Sequence, residues 1–287
     1  MKTTLFRTLL SALLITFLAQ YANAQGIVIN KTNGQKIYYK ASEVESVGVY
    51  GYGENPGPDP QDGKKYTVNG VEFVMVYVEG GIFRMGWDED VESDEYPEHN
   101  VTLTSFCIGE TEVTQELWNA VMGSNPSHFI GDKLPVESIS WNDCQMFIEK
   151  LNALTGKNFR LLTEAEWEYA ARGGKLSKGY KFSGGDELFN VAWCADNSSE
   201  KTHEVATKQA NELGLYDMTG NVWEWCQDWY GNYSGQPQYD PSGPEIGLYR
   251  VFRGGAWGSS ENGCRTVYRN DDEPTFIYNA LGLRLAL

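Results

Sequence analysis

A short helix is predicted within residues 160–174, which read Arg160-Leu161-Leu162-Thr163-Glu164-Ala165-Glu166-Trp167-Glu168-Tyr169-Ala170-Ala171-Arg172-Gly173-Gly174. Thr163, followed three residues later by Glu166, is the pattern of a capping box and predicts a helix over residues 165–171. Gly173 and Gly174 end this helix, because glycine readily adopts the left-handed backbone conformation that follows many helices.

Two more helices are predicted upstream of this stretch. Thr114 is placed as the N-cap of a helix over Gln115–Met122, and Ser140, with Asp143 three residues later, begins an amphipathic run that Gly156 closes. Residues 66–85 and 101–108 alternate as paired strands do. Beyond residue 174 the chain has almost no helical periodicity. The predicted fold class is therefore α+β, with short strands, few helices and much irregular loop.

The composition is that of an acidic chain that folds. Its 287 residues leave room for one large domain and a small additional unit. Asp plus Glu number 39 against 23 Lys plus Arg, and the resulting net charge of −16 repels phosphate backbones, so we expect no nucleic-acid partner. Hydrophobic residues make up 41% and aromatic residues 13% of the chain, which excludes a disordered protein.

A cleavable signal peptide is predicted at residues 1–24. Lys2 and Arg7 form its basic part, residues 9–18 its apolar part, and Ala22-Asn23-Ala24 a small-residue cleavage site. An uncleaved anchor is the alternative, but the apolar run is shorter than the roughly 20 residues of a membrane span. No later stretch is long enough to cross a bilayer, so we expect a periplasmic or secreted protein with no transmembrane segment.

The remainder is predicted to form three parts. Residues 25–50 alternate around the turn signal Asn33-Gly34 and form a small β segment. Residues 51–65 have the Gly/Pro-rich composition of a linker. Residues 66–287 form the main domain.

The five cysteines are interpreted as small buried hydrophobic residues. Their odd number leaves at least one thiol unpaired, and none of their spacings has the C-x-x-C pattern of a zinc site. Large aromatic side chains dominate the energetics of protein cores, so five tryptophans are assigned to the core: Trp118, Trp141, Trp167, Trp223 and Trp225. The seven acids within residues 88–98 are interpreted as a solvated loop, because no glycine supplies the sharp turn of a calcium loop.

One turn has the residue types of a cation site. In residues 214–225 the carboxylates of Asp217 and Glu224 are seven residues apart on either side of Gly220-Asn221. Such a turn can place side-chain and main-chain oxygens around a calcium ion. The alternative is a tight turn whose carboxylates are solvated or cap the backbone.

A set of motifs occurs in one order along the chain. They are Gly80-Gly81-x-Phe83-x-Met85-Gly86, Glu112-Val113-Thr114, Pro135-Val136-x-x-Ile139-Ser140-Trp141-Asn142-Asp143, residues 160–174 quoted above, Gly220-Asn221-Val222-Trp223-Glu224-Trp225, Arg253-Gly254-Gly255-Ala256-Trp257 and Gly282-Leu283-Arg284. Together they resemble the formylglycine-generating-enzyme (sulfatase-modifying-factor) domain, whose fold is a variant of the C-type lectin fold. The resemblance covers residues 66–287 and does not cover residues 25–63.

This resemblance implies calcium as a cofactor. Carried over residue by residue, the ligands of one ion are the Asp217 side chain, the carbonyls of Gly220 and Val222, and the Glu224 side chain. A second ion would use the segment Asn190-Val191, whose remaining ligands do not align with this sequence.

The resemblance also implies where a copper(I) site would lie. Catalysis in the family uses two cysteines after the Gly-Gly motif; Cys264 matches the second, whereas the first falls on Ser259. A hydroxyl is a poor ligand for copper(I), so copper is not expected and no catalytic residue is assigned beyond the residual candidate Cys264. The related iron-dependent sulfoxide synthases need a histidine cluster on an extra helical domain, and this chain has only 3 His.

Residues 250–287 also resemble the variable segment of lectin-fold proteins that are diversified by retroelements. There, Arg253-Gly254-Gly255 and Gly282-Leu283-Arg284 would form a constant frame, with the arginines held by carboxylates. Aromatic and small polar residues between them suit a ligand surface, as in antibody loops, although an ordinary loop is the alternative. The predicted ligand-binding residues are Trp257, Ser259, Tyr268, Asp271, Asp272, Phe276 and Tyr278.

Two functions from different classes follow. The first is a secreted, calcium-stabilised and non-catalytic binding protein that displays a C-terminal surface to an unknown protein or glycan ligand. The second is a metal-dependent oxidoreductase of the formylglycine-generating type that acts on a cysteine or thiol substrate.

Overall fold

The three predicted helices are present with their predicted caps. They are α1 (Gln115–Met122), α2 (Trp141–Thr155) and α3 (Glu164–Ala171), followed by a single turn, α4 (Leu188–Val191). The Thr114 side chain accepts from the Leu117 N–H, and reciprocal capping boxes join Ser140 to Asp143 and Thr163 to Glu166. All eight residues of α3 are buried, so this helix lies inside the domain rather than on its surface.

The computed structural model describes residues 26–30, 36–40, 63–88 and 94–287. The chain forms two units that divide between Pro56 and Gly57. In the first unit, two strands pair in antiparallel fashion with Gly26 opposite Lys40. The predicted signal peptide, the Asn33-Gly34 turn and most of the predicted linker lie outside the described residues.

Within the described residues, the strands form one sheet in the first unit and three in the second. In chain order they are β1 (Gly26–Asn30), β2 (Lys36–Lys40), β3 (Lys65–Val68), β4 (Val71–Val78), β5 (Gly81–Met85), β6 (His99–Leu103), β7 (Phe106–Gly109), β8 (Arg160–Leu161), β9 (Trp223–Trp229), β10 (Gln238–Tyr239), β11 (Arg250–Arg253), β12 (Arg269–Asp272), β13 (Leu281–Leu283) and β14 (Leu285–Ala286). The sheets of the second unit have the orders β3-β4-β7-β14-β8, β10-β6-β5 and β12-β11-β9-β13.

The predicted strand pairs are divided between two sheets. β3 and β4 pair as expected, but β5 pairs with β6 instead of β4. The chain changes sheet at Gly80, where an added side chain would collide with the Leu103 carbonyl. It changes again at residues 104–105, between β6 and β7. Alternation alone predicted the strands but not these crossings.

The alternation of polar and apolar residues did not predict the central strand, β9. It lies between β11 and β13, and residues 223–226 are all buried. A strand buried on both faces has no alternation of polar and apolar residues. β13 runs parallel to β9 and β14 enters the five-stranded sheet, so the last residues of the chain join the two sheets.

The core contains most of the residues assigned to it. Trp118 stacks on Phe147 with ring centroids 4.9 Å apart, and Trp167, Trp223 and Trp225 are buried. Trp141 is the exception, because it is half-buried with the Arg250 guanidinium 3.9 Å from its ring centroid. All five cysteines lie in the described part of the chain, where they are buried and free, which confirms their interpretation as packed thiols. No helix in the described residues has the length and apolar character needed to cross a membrane.

Candidate functional site

Four buried arginines of the C-terminal segment pair with glutamates from distant parts of the chain. We call these pairs, all within the described residues, the arginine frame: Arg253–Glu168, Arg265–Glu95, Arg269–Glu164 and Arg284–Glu224. The carboxylates expected to hold Arg253 and Arg284 are thereby identified. Of the four glutamates in the frame, Glu164 and Glu168 lie on α3 and Glu224 lies on β9. The frame therefore ties segment 250–287 to the buried helix and to the central strand.

The pair of Arg269 and Glu164 shows how the buried charges of the frame are hydrogen-bonded and neutralised. Nε of Arg269 lies 2.6 Å from one carboxylate oxygen and Nη2 lies 2.8 Å from the other. Burial acts against ionisation of Glu164, but the charges of Arg269 and Arg253 outweigh it and hold the pKa of that carboxyl below its ordinary value. This pair is bidentate, and loss of one partner would leave the other charged and buried.

The pair of Arg265 and Glu95 corrects the interpretation of residues 88–98 as a solvated loop. Glu95 is fully buried, and its two oxygens accept from Arg265 at 2.7 and 2.8 Å. The neighbouring carboxylate of Asp94 accepts from the Tyr230 hydroxyl at 2.9 Å. Part of the acidic run is thus a structural partner of the C-terminal segment, 170 residues away in sequence.

Apolar side chains project from the surface that this frame supports. Ile277 is 56% exposed and Tyr278 45% exposed. The rings of Phe276 and Tyr278 have centroids 6.2 Å apart, and the Trp257 indole donates to the Asn279 carbonyl at 3.1 Å. We call these residues, Trp257, Phe276, Ile277 and Tyr278, the C-terminal face.

The other predicted ligand residues are placed differently. Tyr268 is half-buried and packs towards Trp223, with ring centroids 6.0 Å apart. The Ser259 hydroxyl accepts from the Ala256 N–H at 2.9 Å, so it stabilises a turn. Asp271 and Asp272 are half-buried on strand β12. Of the predicted aromatic residues only Tyr278 is exposed, because Trp257 and Phe276 are half-buried against the core, as Tyr268 is.

A neighbour of this face was missed from the sequence. Phe129 meets the Trp257 ring edge-on at 5.7 Å, and the adjacent Ile130 is 73% exposed. The segment around them is rich in Gly, Ser, Asn and Pro, which indicates only a loop. Their contact with residue 257 is tertiary, and no local pattern signals it.

The residual catalytic candidate is a packed thiol. Cys264 is fully buried, and burial, reinforced by Cys194, raises its pKa to about 12. Since the thiolate is the metal ligand and the nucleophile, a raised pKa works against both roles. The hydroxyl of Ser259 stands at the position of the missing cysteine and is already engaged with the backbone.

The predicted calcium residues lie in a buried acidic cluster. Asp217 and Glu224 are buried there together with Glu112, which the sequence analysis did not assign, and Arg284. Burial, together with the charges of Asp217 and Glu224, raises the pKa of Glu112 well above its ordinary value. Burial also raises the pKa of Asp217 to about 6. Three carboxyl groups beside one guanidinium are electrically balanced only if the cluster also holds protons, as the raised pKa values indicate, or a bound cation.

The two predicted calcium carboxylates differ in how they are satisfied. One oxygen of Asp217 accepts from the Ala206 N–H at 2.7 Å, whereas Oδ1 is buried without a hydrogen-bond partner among the described residues. Glu224 accepts from Nε and Nη2 of Arg284 and, at 2.7 Å, from the Trp167 indole. Nε of Arg284 also lies 3.0 Å from the second oxygen, so these contacts occupy about four acceptor positions, the full capacity of that carboxylate. The orphaned oxygen of Asp217 fits a cation ligand, whereas Glu224 would ligate a cation only by sharing oxygens that already accept from Arg284 and Trp167.

Side-chain ligands alone do not form a metal site here. In the described residues no three His, Cys, Asp or Glu side chains converge to hold a metal, so the predicted set depends on the carbonyls of Gly220 and Val222. The predicted second site falls on α4. The Asn190 carbonyl accepts from the Gln209 N–H at 3.0 Å, and Val191 is packed with Cys264 in a small apolar cluster.

Comparisons with known proteins identify the family of the second unit. The model of the sulfatase-modifying factor enzyme 1-like domain matches residues 64–287. The chain is 34% identical over 264 residues to the chaperone protein LppX of Paenibacillus barcinonensis, covering 74% of this chain and 88% of that protein. It is 35% identical over 278 residues to the formylglycine-generating enzyme of Thermomonospora curvata, covering 82% and 88%.

Solved structures agree with these relatives. Variable protein 1 of Treponema denticola is 38% identical, with a TM-score of 0.74, over 78% of this chain and 98% of that one. PvdO from Pseudomonas aeruginosa is 27% identical, with a TM-score of 0.67, over 80% and 99%. These findings confirm the family resemblance and the α+β fold of the C-type lectin type that the sequence predicted.

Proposed function

Because the chain belongs to the sulfatase-modifying factor family, we propose that it is a secreted, non-catalytic member that binds a macromolecular ligand through the C-terminal face. The observation that carries this proposal is the contrast between the frame and the face. Buried ion pairs hold the flanks of the segment, while Ile277 and Tyr278 between them remain about half exposed. An apolar patch that is rigid before binding loses little conformational entropy on binding.

The non-catalytic part of the proposal is supported by the thiol chemistry. Ser259 replaces one of the two cysteines expected for copper(I), and Cys264 is buried with a raised pKa. The alternative, a metal-dependent oxidoreductase acting on a cysteine or thiol substrate, is favoured by the identity with formylglycine-generating enzymes. Formation of formylglycine on a cysteine peptide by the purified protein with copper and oxygen would establish that alternative.

Calcium belongs to the proposal as a structural ion. Asp217, the carbonyls of Gly220 and Val222, and Glu224 would hold it, and its charge would offset the excess of carboxylates beside Arg284. Bound there, the ion would stabilise the turn that precedes β9, the central strand of the sheet that carries the face.

Export is supported by residues 1–24, which have the three parts of a signal peptide. N-terminal sequencing of protein recovered outside the cytoplasm tests this point. The expected first residue is Gln25; a protein that retains Met1 and remains inside the cell contradicts export.

The face is tested with two defined probes, a glycan array and a displayed library of random peptides. We expect the purified protein to bind members of at least one of them, and the double variant Ile277→Ala, Tyr278→Ala to lose that binding with an unchanged melting temperature. Ile82→Ala is the matched control, because Ile82 is 72% exposed on β5. Binding that survives the double variant, or no binding to either probe, contradicts the proposal.

A further inference from the structure

The 123–131 loop is held at its tip by two buried side chains. Gln115 donates to the Phe129 carbonyl at 2.7 Å, and its amide oxygen accepts from the Gly131 N–H at 3.1 Å. The Phe129 N–H in turn donates to the Glu137 carboxylate at 2.8 Å. The backbone N–H and carbonyl of Phe129 are therefore both held by buried side chains, although the loop has the Gly- and Pro-rich composition of a mobile turn.

The same anchor is joined to the C-terminal face. The Ser138 N–H, next to Glu137, donates to the Tyr278 carbonyl at 3.1 Å. On the other side, the Phe129 ring lies against Trp257. The loop and the face consequently adjoin, and together we call them the apolar ridge: Ile130, Ile277 and Tyr278 are exposed, whereas Phe129, Trp257 and Phe276 are half-buried.

The rim of this ridge is acidic. Asp271, Asp272 and Glu273 lie at its edge, half-buried or exposed. The arginines of the same segment, Arg265 and Arg269, are buried in the frame and offer no surface charge. Residues 123–131 contain no Lys or Arg.

The arginine that pairs in register with the acidic rim is also occupied, and the exposed Lys133 lies two residues beyond the loop. Arg250 lies opposite Asp272 in the β11–β12 ladder, but its guanidinium stacks between the rings of Trp229 and Trp141 at 3.4 and 3.9 Å. The ridge therefore presents apolar side chains beside carboxylates that no exposed cation of the same segment neutralises.

The shape of the surface distinguishes among ligand classes. Cavities of about 260 and 250 Å³ in the described residues lie elsewhere, one lined by Glu112 and the other by Asp240. The ridge instead projects: Ile130, Ile277 and Tyr278 are each exposed by 45% or more. Projecting apolar side chains are complementary to a pocket in a partner surface, not to a small molecule that needs enclosure.

Resting on the proposed function, we infer that the apolar ridge binds a protein surface that is basic and carries an apolar pocket. Apolar contact with the ridge supplies the affinity, and the acidic rim attracts the positive charge of the partner and orients it. The loop residue Ile130 is part of the binding surface, although it lies far in sequence from the segment predicted to bind.

The probe is a displayed library of random peptides selected on the purified full-length protein. We expect the selected peptides to be enriched in Lys and Arg together with large aliphatic or aromatic residues. Their affinity should fall several-fold as salt is raised from low to moderate concentration. Ile130→Ala and Ile277→Ala should each weaken binding by about 10-fold or more, with an unchanged melting temperature. Ile82→Ala, on β5, should bind as the unmodified protein does.

Four outcomes overturn the inference. Selected peptides that are acidic, or insensitive to salt, contradict the basic partner. Binding that Ile277→Ala weakens but Ile130→Ala leaves unchanged removes the loop from the surface. Binding of the ridge to a glycan array with no selected peptide also overturns the inference, but leaves the proposed function standing. Binding to neither probe overturns both.

Discussion

The arginine frame and the apolar ridge differ in which kind of side chain is buried and which is exposed. In the frame, four guanidinium groups are buried against carboxylates, whereas three apolar side chains of the ridge, Ile130, Ile277 and Tyr278, are exposed. The two regions are only a few residues apart in sequence, since Arg269 belongs to one and Phe276 to the other. The difference indicates that buried ion pairs hold the backbone of segment 250–287 in place, while some of its apolar side chains remain exposed to solvent. Stability and binding should therefore respond to different substitutions.

The largest expected effect is on stability and tests the frame. Glu168→Ala leaves Arg253 buried without its main partner, and we expect the free energy of unfolding to fall by about 3–5 kcal/mol in urea denaturation. The control is Glu72→Ala, which removes the exposed pair with Lys65 and should change stability little. If both variants are equally stable, the frame does not hold the segment.

The second prediction concerns the calcium site proposed at Asp217 and Glu224. Saturating calcium, at about 100 times its dissociation constant, should stabilise the protein by roughly 2.7 kcal/mol, and a chelator should lower the melting temperature accordingly. Asp217→Asn should abolish this response, because it removes the carboxylate with the orphaned oxygen and leaves the Arg284–Glu224 pair intact.

Glu204→Gln, at an exposed position, is the control for this measurement and should keep the response. A melting curve that neither calcium nor chelator moves would show that the acidic cluster is balanced by Arg284 and protons alone.

The third prediction separates two tyrosines that the sequence grouped together. Tyr268 packs towards Trp223, so Tyr268→Ala should lower the free energy of unfolding by about 1–2 kcal/mol. Tyr278→Ala, at an exposed position of the ridge, should leave stability nearly unchanged and weaken ligand binding. Equal stability losses in calorimetry would place both residues in the core.

The smallest effect tests a buried acid without a paired cation. Burial, together with the charge of Glu164, raises the pKa of Asp228 well above its ordinary value. The stability that this group contributes is present below its unfolded pKa, near 4, and is lost as the pH rises through the folded value. Asp228→Asn should therefore raise the free energy of unfolding at pH 7, measured by urea denaturation, because the amide carries no charge to desolvate.

The advantage of Asp228→Asn should disappear as the pH is lowered towards 4, and Asp196→Asn, at the surface, should show no such trend. A gain that is independent of pH would assign the effect to packing instead of to charge.

Local sequence determined the helices, their caps and the family. Each cap joins residues three apart, as Thr163 and Glu166 do, and such hydrogen bonds form within one turn of chain whatever surrounds them. The motifs around Arg253 and Arg284 likewise predicted arginines held by carboxylates, because a buried guanidinium requires them. The burial of the cysteines followed from their apolar neighbours.

Only the tertiary structure decided which residues meet. Glu95 and Arg265 are 170 residues apart, and nothing near either one predicts the pair. The same holds for Phe129 against Trp257, and for Glu112 beside Asp217. Periodicity reports which face of an element is apolar, but the partner of a buried charge or of an exposed ring depends on how sheets and loops pack. For this protein the sequence therefore determined the scaffold, and packing determined the surface that the scaffold presents.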